Sequence, residues 1–311
     1  MDFDPSTLGM DGSSAAVELD FRSVFVKGSM DIVPADWQLI AEAVAAAAAS
    51  DVRGIIVLHG TDTMQYTAAA LSFMVQGLSV PLVITGSMKP GGDADSDAPV
   101  NLRNAVEVAA FADLAEVCVV FSGDLELKRG LIIRGSRARK VHSHAVNAFD
   151  SINVPPIGVV EHGTIKLHEE GRIRRGSRAM ALNTALDSNV VLIKLTPNLT
   201  PAVLARQIEG ASGIVLEGTG LGHIRRDLMD VVVASGRPTV MSTQAVYGGE
   251  RLGAYESDKA ILAAPNIIPG GDMLSETALV KLMWALKQRG ETRTLMMSSI
   301  AGEVTEARSA S

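Results

Sequence analysis

The stretch that most constrains the fold is Gly54–Met64, which reads Gly-Ile-Ile-Val-Leu-His-Gly-Thr-Asp-Thr-Met. Its four consecutive apolar residues, Ile55–Leu58, predict a buried strand. The run breaks at Gly60 into Thr61, Asp62 and Thr63, and a helix is expected from about Asp62 to Gln76. The same succession recurs along the chain. Pro81–Thr85 predicts a strand ending in Gly86-Ser87, followed by a helix over Val100–Ala112. Phe21–Val26 predicts a short strand running into Lys27-Gly28-Ser29, with a helix from Pro34 to about Ala49. Strands alternating with helices mean an α/β chain with largely parallel sheets.

The remaining elements extend that pattern. Strands are expected at Glu116–Phe121 and Leu131–Ile133, and a hairpin joins Val154–His162 to Thr164–His168 around His162-Gly163. Residues 169–189 change character, with Glu169-Glu170-Gly171-Arg172 followed by Arg174-Arg175-Gly176. We place a domain boundary there: a larger N-terminal domain over 1–175, a linker over 176–189 and a smaller C-terminal domain over 190–311. In the second domain, strands Val190–Leu195, Gly213–Leu216 and Thr239–Met241 alternate with helices at Thr200–Glu209 and Arg226–Ala234. A closing helix runs from about Ser275 to Lys287.

Composition excludes several function classes. A net charge of −7 argues against a nucleic-acid partner, which needs a basic face. The only cysteine, Cys118, lies in an apolar run and reads as a buried, inert thiol. The histidines form no metal-ligand spacing, so neither metal nor cofactor is expected. Neither GxGxxG nor a Walker loop follows a strand, which argues against dinucleotide and ATP chemistry. The start at Met1 has no basic segment and no apolar core, and no apolar run reaches membrane-spanning length, so a cytoplasmic protein without a membrane partner is the economical expectation.

Ser29, Thr61-Asp62 and Thr85-Gly86-Ser87 all lie just past predicted strands. In parallel sheets such ends share one edge and form the usual ligand crevice. A hydroxyl, a carboxylate and a second hydroxyl in a row suit the binding and attack of a small polar substrate. They also suit a helix N-cap, and the local pattern alone does not choose between the two.

The series of motifs does choose. His59-Gly60-Thr61-Asp62-Thr63-Met64 resembles a signature of the bacterial-type asparaginase/glutaminase family. Gly28-Ser29-Met30-Asp31 with Pro34-Ala35-Asp36-Trp37 is similar to its substrate loop and following helix. Thr85-Gly86-Ser87-Met88-Lys89-Pro90 and Ser96-Asp97-Ala98-Pro99-Val100-Asn101-Leu102 resemble two further segments. Arg137-Ala138-Arg139-Lys140 is similar to the loop that carries the catalytic lysine, and Ile268-Pro269-Gly270-Gly271-Asp272-Met273 with Glu276 and Lys281-Leu282 matches the C-terminal pattern.

The resemblance implies a smaller second domain of flavodoxin-like or Rossmann-like type. It implies hydrolysis of L-asparagine to L-aspartate and ammonia through a threonine acyl-enzyme, with glutamine as a side substrate. Ser29 would bind the α-carboxylate and Asp62 the α-ammonium, in a substrate site that includes Met30, Gly60, Thr61 and Ser87. Thr61, Asp62 and Lys140 would form the catalytic set. Lys140 would act as base toward Thr61, which requires an ammonium destabilised by burial beside Arg137 and Arg139. A homodimer or homotetramer is implied, with sites at the dimer interface and the loop Gly220-Leu221-Gly222-His223 supplied by the second subunit.

One departure stands out. The family's first signature, Thr-Gly-Gly-Thr-Ile, carries the acylated threonine and does not occur in this chain. Two readings follow. Either that segment belongs before Met1, or Ser6-Thr7-Leu8-Gly9-Met10 is a degenerate copy with Thr7 as nucleophile. The first is preferred, because no predicted strand stands behind Thr7 to hold it rigidly. The accompanying expectation is a chain that binds the amino acid with impaired or no turnover.

Overall fold

The computed structural model describes residues 17–176, 178–251 and 263–305. The chain divides into two compact units, Met1–Ser151 with Pro155–Leu182, and Ile152–Val154 with Asn183–Ser311.

In the first unit, helix α1 spans Pro34–Ala48 and buries Trp37, Ile40, Ala41 and Val44. Pro34 opens it, and the Asp36 carboxylate reaches back to accept the Val33 N–H at 2.8 Å. Strand β1, Ile55–Leu58, follows, then α2 over Met64–Met74 and the two-residue β2 at Val75–Gln76. Strand β3, Leu82–Thr85, leads through α3, Ala98–Phe111, to β4 at Val117–Ser122. These produce two parallel pairings, Ile55 opposite Leu82 and Leu82 opposite Val117. Every residue of β3 and β4 is buried, as expected of strands covered on both faces.

The sheet then turns antiparallel. Strand β5, Arg129–Arg134, lies beside β4. The short strands β6, Ala138–Lys140, and β7, Phe149–Ser151, pair with each other apart from it. Strands β8, Gly158–Glu161, and β9, Thr164–Leu167, complete a six-stranded sheet of order β1-β3-β4-β5-β8-β9. The β8–β9 hairpin turns at His162 and Gly163, whose φ values of 49° and 74° are those of the primed turn that matches strand twist. A final pair, Ala181–Leu182 as β10, joins β2.

The expected strand at Phe21–Val26 does not form. That segment joins no ladder among the described residues, and Phe21, Val24 and Val26 are exposed. Its apolar composition is strand-like, but a strand also needs a neighbour to take its N–H and C=O groups. Val17 and Leu19 instead pack against Leu102 and Val106.

The charged stretch after β9 is tied down by its arginines. Arg175 donates to the carbonyls of Ala109, Ala112 and Arg53, closing the C-terminal end of α3 where carbonyls lack helical partners. Glu116 accepts from Arg134 Nε at 2.6 Å and from Ile173 N at 3.0 Å.

The second unit is a parallel sheet of order β11-β12-β13-β14, with β11 at Val190–Lys194, β12 at Gly213–Gly218, β13 at Thr239–Thr243 and β14 at Ile267–Pro269. Helix α4, Pro201–Ile208, starts at Thr200, whose hydroxyl accepts from Val203 N. Helix α5, Arg226–Ser235, ends at Gly236 in the left-handed region. Ile214, Leu216, Leu204, Leu228, Val232 and Met241 share its core. Helix α6, Ser275–Ala285, is buried along most of its length, and α7 spans Thr292–Met297. Lys281 of α6 forms a fully buried ion pair with Glu303 at 2.5 Å.

Candidate active site

Strands β1 and β3 are adjacent and parallel, so the loops after Leu58 and Thr85 leave from one sheet edge. His59 prolongs the ladder through its N–H to Thr85 O at 2.9 Å. Its Nδ1 lies 2.6 Å from Gly60 O and its Nε2 2.9 Å from Thr67 Oγ1. A carbonyl only accepts, so Nδ1 carries the proton and Nε2 accepts from the Thr67 hydroxyl. Burial lowers the His59 pKa and keeps the ring in this neutral form.

Two glycines let the loops come together. A Cβ on Gly60 would lie 2.7 Å from Ser29 Oγ, and one on Gly86 would lie 2.1 Å from His59 O. Ser29 sits on a single turn, Ser29–Asp31, and is buried. Its Oγ accepts from Asp62 N at 3.3 Å, and its carbonyl accepts from Thr63 Oγ1 at 2.7 Å. The turn carrying Ser29 is thus fastened onto the Gly60–Thr63 segment.

Lys140 arrives from β6, far away in sequence. Its Nζ donates to Thr61 Oγ1 at 2.9 Å and to Asp62 Oδ1 at 2.7 Å. The lysine side chain is 15% exposed and that of Asp62 54%, so the carboxylate keeps an open side toward solvent. Thr61 itself is buried and Arg137, three residues before Lys140, is almost completely so. A cleft of about 390 Å³ opens here, lined by Asp62, Gln65, Lys140, Val141, His142 and Ser143. A nucleophilic hydroxyl, an amine within proton-transfer distance and a neighbouring carboxylate are the parts needed for acyl transfer.

The residues expected from the sequence divide into three groups. Ser29, Gly60, Thr61, Asp62 and Lys140 are joined by the contacts above. Met30 and Ser87 are not brought to the cleft: Met30 projects into solvent, and the Ser87 hydroxyl donates to Lys89 O at 2.7 Å within its own loop. Thr7 lies outside the described residues. In the second unit, the Gly220–His223 loop closes on itself, with Thr219 N donating to His223 O at 3.0 Å.

Two features were not foreseen as parts of the site. Gln65 Oε1 accepts the backbone N–H of Lys140 at 2.6 Å. Asp97, fully buried, accepts from Met88 N, Lys89 N and Asn101 Nδ2, and Asn101 Nδ2 also donates to Gly86 O. The Ser96–Leu102 motif was the only signal for the second, and the first had none.

The sequence matches the family description "Asparaginase, N-terminal" over residues 6–172 and "Glutaminase/Asparaginase C-terminal domain" over residues 189–296. The chain belongs to the asparaginase family. Among its relatives, this asparaginase-family chain is 42% identical over 296 residues to an L-asparaginase of Thermococcus kodakarensis, covering 93% of this chain and 87% of that protein. It is also 38% identical over 285 residues to a glutamyl-tRNA(Gln) amidotransferase component of the same organism, covering 89% of this chain. It spans 64% of that component's length.

Two solved structures agree in fold. The thermostable L-asparaginase from Thermococcus kodakarensis superposes with a TM-score of 0.87 at 40% identity, over 97% of this chain and 90% of that one. L-asparaginase I from Vibrio cholerae O1 biovar eltor does so at 0.78 and 32%, over 90% and 84%. Among the described residues, no helix of this family member is long and apolar enough to cross a membrane. Burial pushes the Cys118 thiol far up, which makes it a core residue and not a nucleophile.

Proposed function

We propose that the chain hydrolyses the side-chain amide of L-asparagine, releasing L-aspartate and ammonia. The observation that carries this reading is the contact of Lys140 Nζ with both Thr61 Oγ1 and Asp62 Oδ1, at 2.9 Å and 2.7 Å. As a free amine, Lys140 takes the Thr61 proton while the hydroxyl oxygen adds to the amide carbon. The C–N bond then breaks, ammonia leaves with the returned proton, and water hydrolyses the threonine ester. The Thr61 backbone N–H is assigned to the developing oxyanion. Asp62 receives the α-ammonium on its exposed side, and the Ser29 hydroxyl receives the α-carboxylate.

Thr7 is the second candidate for the acylated threonine. Ammonia release from L-asparagine, measured for the wild type and for Thr61→Ala, Lys140→Met and Thr7→Ala, separates the assignments. Loss in the first two with Thr7→Ala unchanged is the expected result. Unimpaired turnover in Thr61→Ala or Lys140→Met overturns the reading. L-aspartate binding by calorimetry without any turnover in the wild type would instead select a non-catalytic amino-acid binder.

The same reading includes a cytoplasmic homodimer or homotetramer in which the partner's Gly220–His223 loop closes the site, and light scattering that finds a monomer removes that part. A second reading rests on the glutamyl-tRNA(Gln) amidotransferase relatives, which favour glutamine as ammonia donor. One methylene separates the two amides and is worth about 1–3 kcal/mol of discrimination. The ratio of kcat/KM for L-asparagine and L-glutamine therefore decides between them.

A further inference from the structure

Lys140 ends a three-residue strand that has a single neighbour, β7. In an antiparallel pair the ladder bonds alternate along each strand. Val141 N donates to Ala148 O at 2.7 Å, so the N–H of Lys140, one residue earlier, faces away from β7. It is met there by a side chain, Gln65 Oε1, at 2.6 Å. Gln65 belongs to the first turn of α2, and it lines the cleft beside Asp62. The acceptor for the Lys140 main chain and the two acceptors for its ammonium thus come from one continuous segment, Thr61–Gln65.

We propose that Gln65 is a positioning residue for the reaction, which fixes the main chain of Lys140 so that its amine stays within reach of Thr61. The proposal rests on the assignment of Lys140 as base. A lysine carries its nitrogen on a long flexible stem, so the placement of that nitrogen depends on how firmly the stem's root is held. β6 is held by β7 on one side, and Gln65 holds the other side at the residue that matters. Both anchors of the lysine are therefore built into the segment that carries its reaction partner, and α2 cannot shift without moving them together.

Gln65→Met and Gln65→Glu test this in the intact protein. Methionine matches the length of glutamine but offers only a weak acceptor, whereas glutamate keeps a strong acceptor oxygen at the same position. Gln65→Met is expected to lower kcat about 10- to 100-fold, the size of effect seen when a reacting group is slightly misplaced, with KM little changed. Gln65→Glu is expected to recover most of that loss. Equal activity in the two variants, or a loss confined to KM, overturns the proposal. Lys140→Met serves as the control: if it is inactive while Gln65→Met is unimpaired, the inference fails and the base assignment stands. If Lys140→Met retains turnover, the base assignment fails, and the inference with it.

Discussion

Two lysine–carboxylate pairs occupy opposite extremes of environment. Lys281 and Glu303 are both completely buried, 2.5 Å apart. Lys281 Nζ also donates to Met296 O and Ser298 O, while Glu303 accepts from Ile300 N and Ala301 N. Lys140 and Asp62 approach to 2.7 Å, but over half of the Asp62 side chain is exposed and the ammonium shares itself with a hydroxyl. The first pair spends its hydrogen-bonding capacity on the main chain that follows α6. The second leaves capacity open toward a cleft. Identical chemical groups thus serve as a lock in one place and as reaction machinery in the other, according to what else they touch.

Exchanging each lysine for methionine breaks this comparison most sharply. Lys140→Met is expected to lower ammonia release about 10²- to 10⁴-fold, the usual contribution of a positioned base. Its urea midpoint should change little, because a part-exposed pair is worth at most about 1 kcal/mol. Lys281→Met should do the reverse. It leaves Glu303 charged and buried without its partner, a loss of about 3–5 kcal/mol in unfolding free energy. Lys281→Met with Glu303→Leu should recover much of that loss, since an apolar pair can replace a buried ionic one. A Lys281→Met protein of wild-type stability would show that the pair is not a lock.

Gly60→Ala probes how tightly the reactive segment is fitted to Ser29. A methyl at that position would lie 2.7 Å from Ser29 Oγ and 2.8 Å from its Cβ, so the turn carrying Ser29 must give way. Overpacking of this kind costs about 1–3 kcal/mol. The expected signature is a KM for L-asparagine raised about tenfold or more, because about 1.4 kcal/mol of lost binding is tenfold. An unchanged KM would detach Ser29 from substrate binding.

How far the sequence reveals this chain depends on whether a feature is written in consecutive residues. The strand ending at Leu58, the capped helix after Pro34 and the His162-Gly163 hairpin each carry their own local pattern, and each forms as expected. The contact between Gln65 and Lys140 joins residues 75 positions apart and leaves no periodic trace. Strands β2 and β10 have two residues each, too few to show alternation. Strand β14 is three residues long and ends in proline, and α7 has only six residues. Phe21–Val26 fails in the opposite direction: its composition suits a strand, but what makes a strand is its neighbour. The Thr61-Asp62 pair was ambiguous between cap and catalyst for a related reason. The N-cap of α2 is Thr63, which makes no side-chain cap bond, and the Thr63 hydroxyl is spent on Ser29.

A third pair, Lys27 with Asp36, should fall between the two extremes and has the smallest expected effect. The groups lie 2.8 Å apart, with the lysine side chain 34% exposed and the aspartate 10%. Lys27 first, and the Val33 N–H second, hold the Asp36 carboxyl below its ordinary range. A carboxylate with a depressed folded pKa contributes stability that is present above its unfolded value, near about 3.9 for aspartate, and lost as pH falls through the folded value. Asp36→Asn keeps the shape of the side chain and removes the charge, so it should cost about 1 kcal/mol at pH 7. Urea unfolding of the two proteins at pH 7 and again well below pH 4 measures the difference directly. The gap should narrow in acid, because the wild type then loses the charge that the variant never had. A gap that stays constant would mean that Asp36 supports α1 through shape and backbone hydrogen bonding alone, which would move this pair out of the electrostatic series altogether.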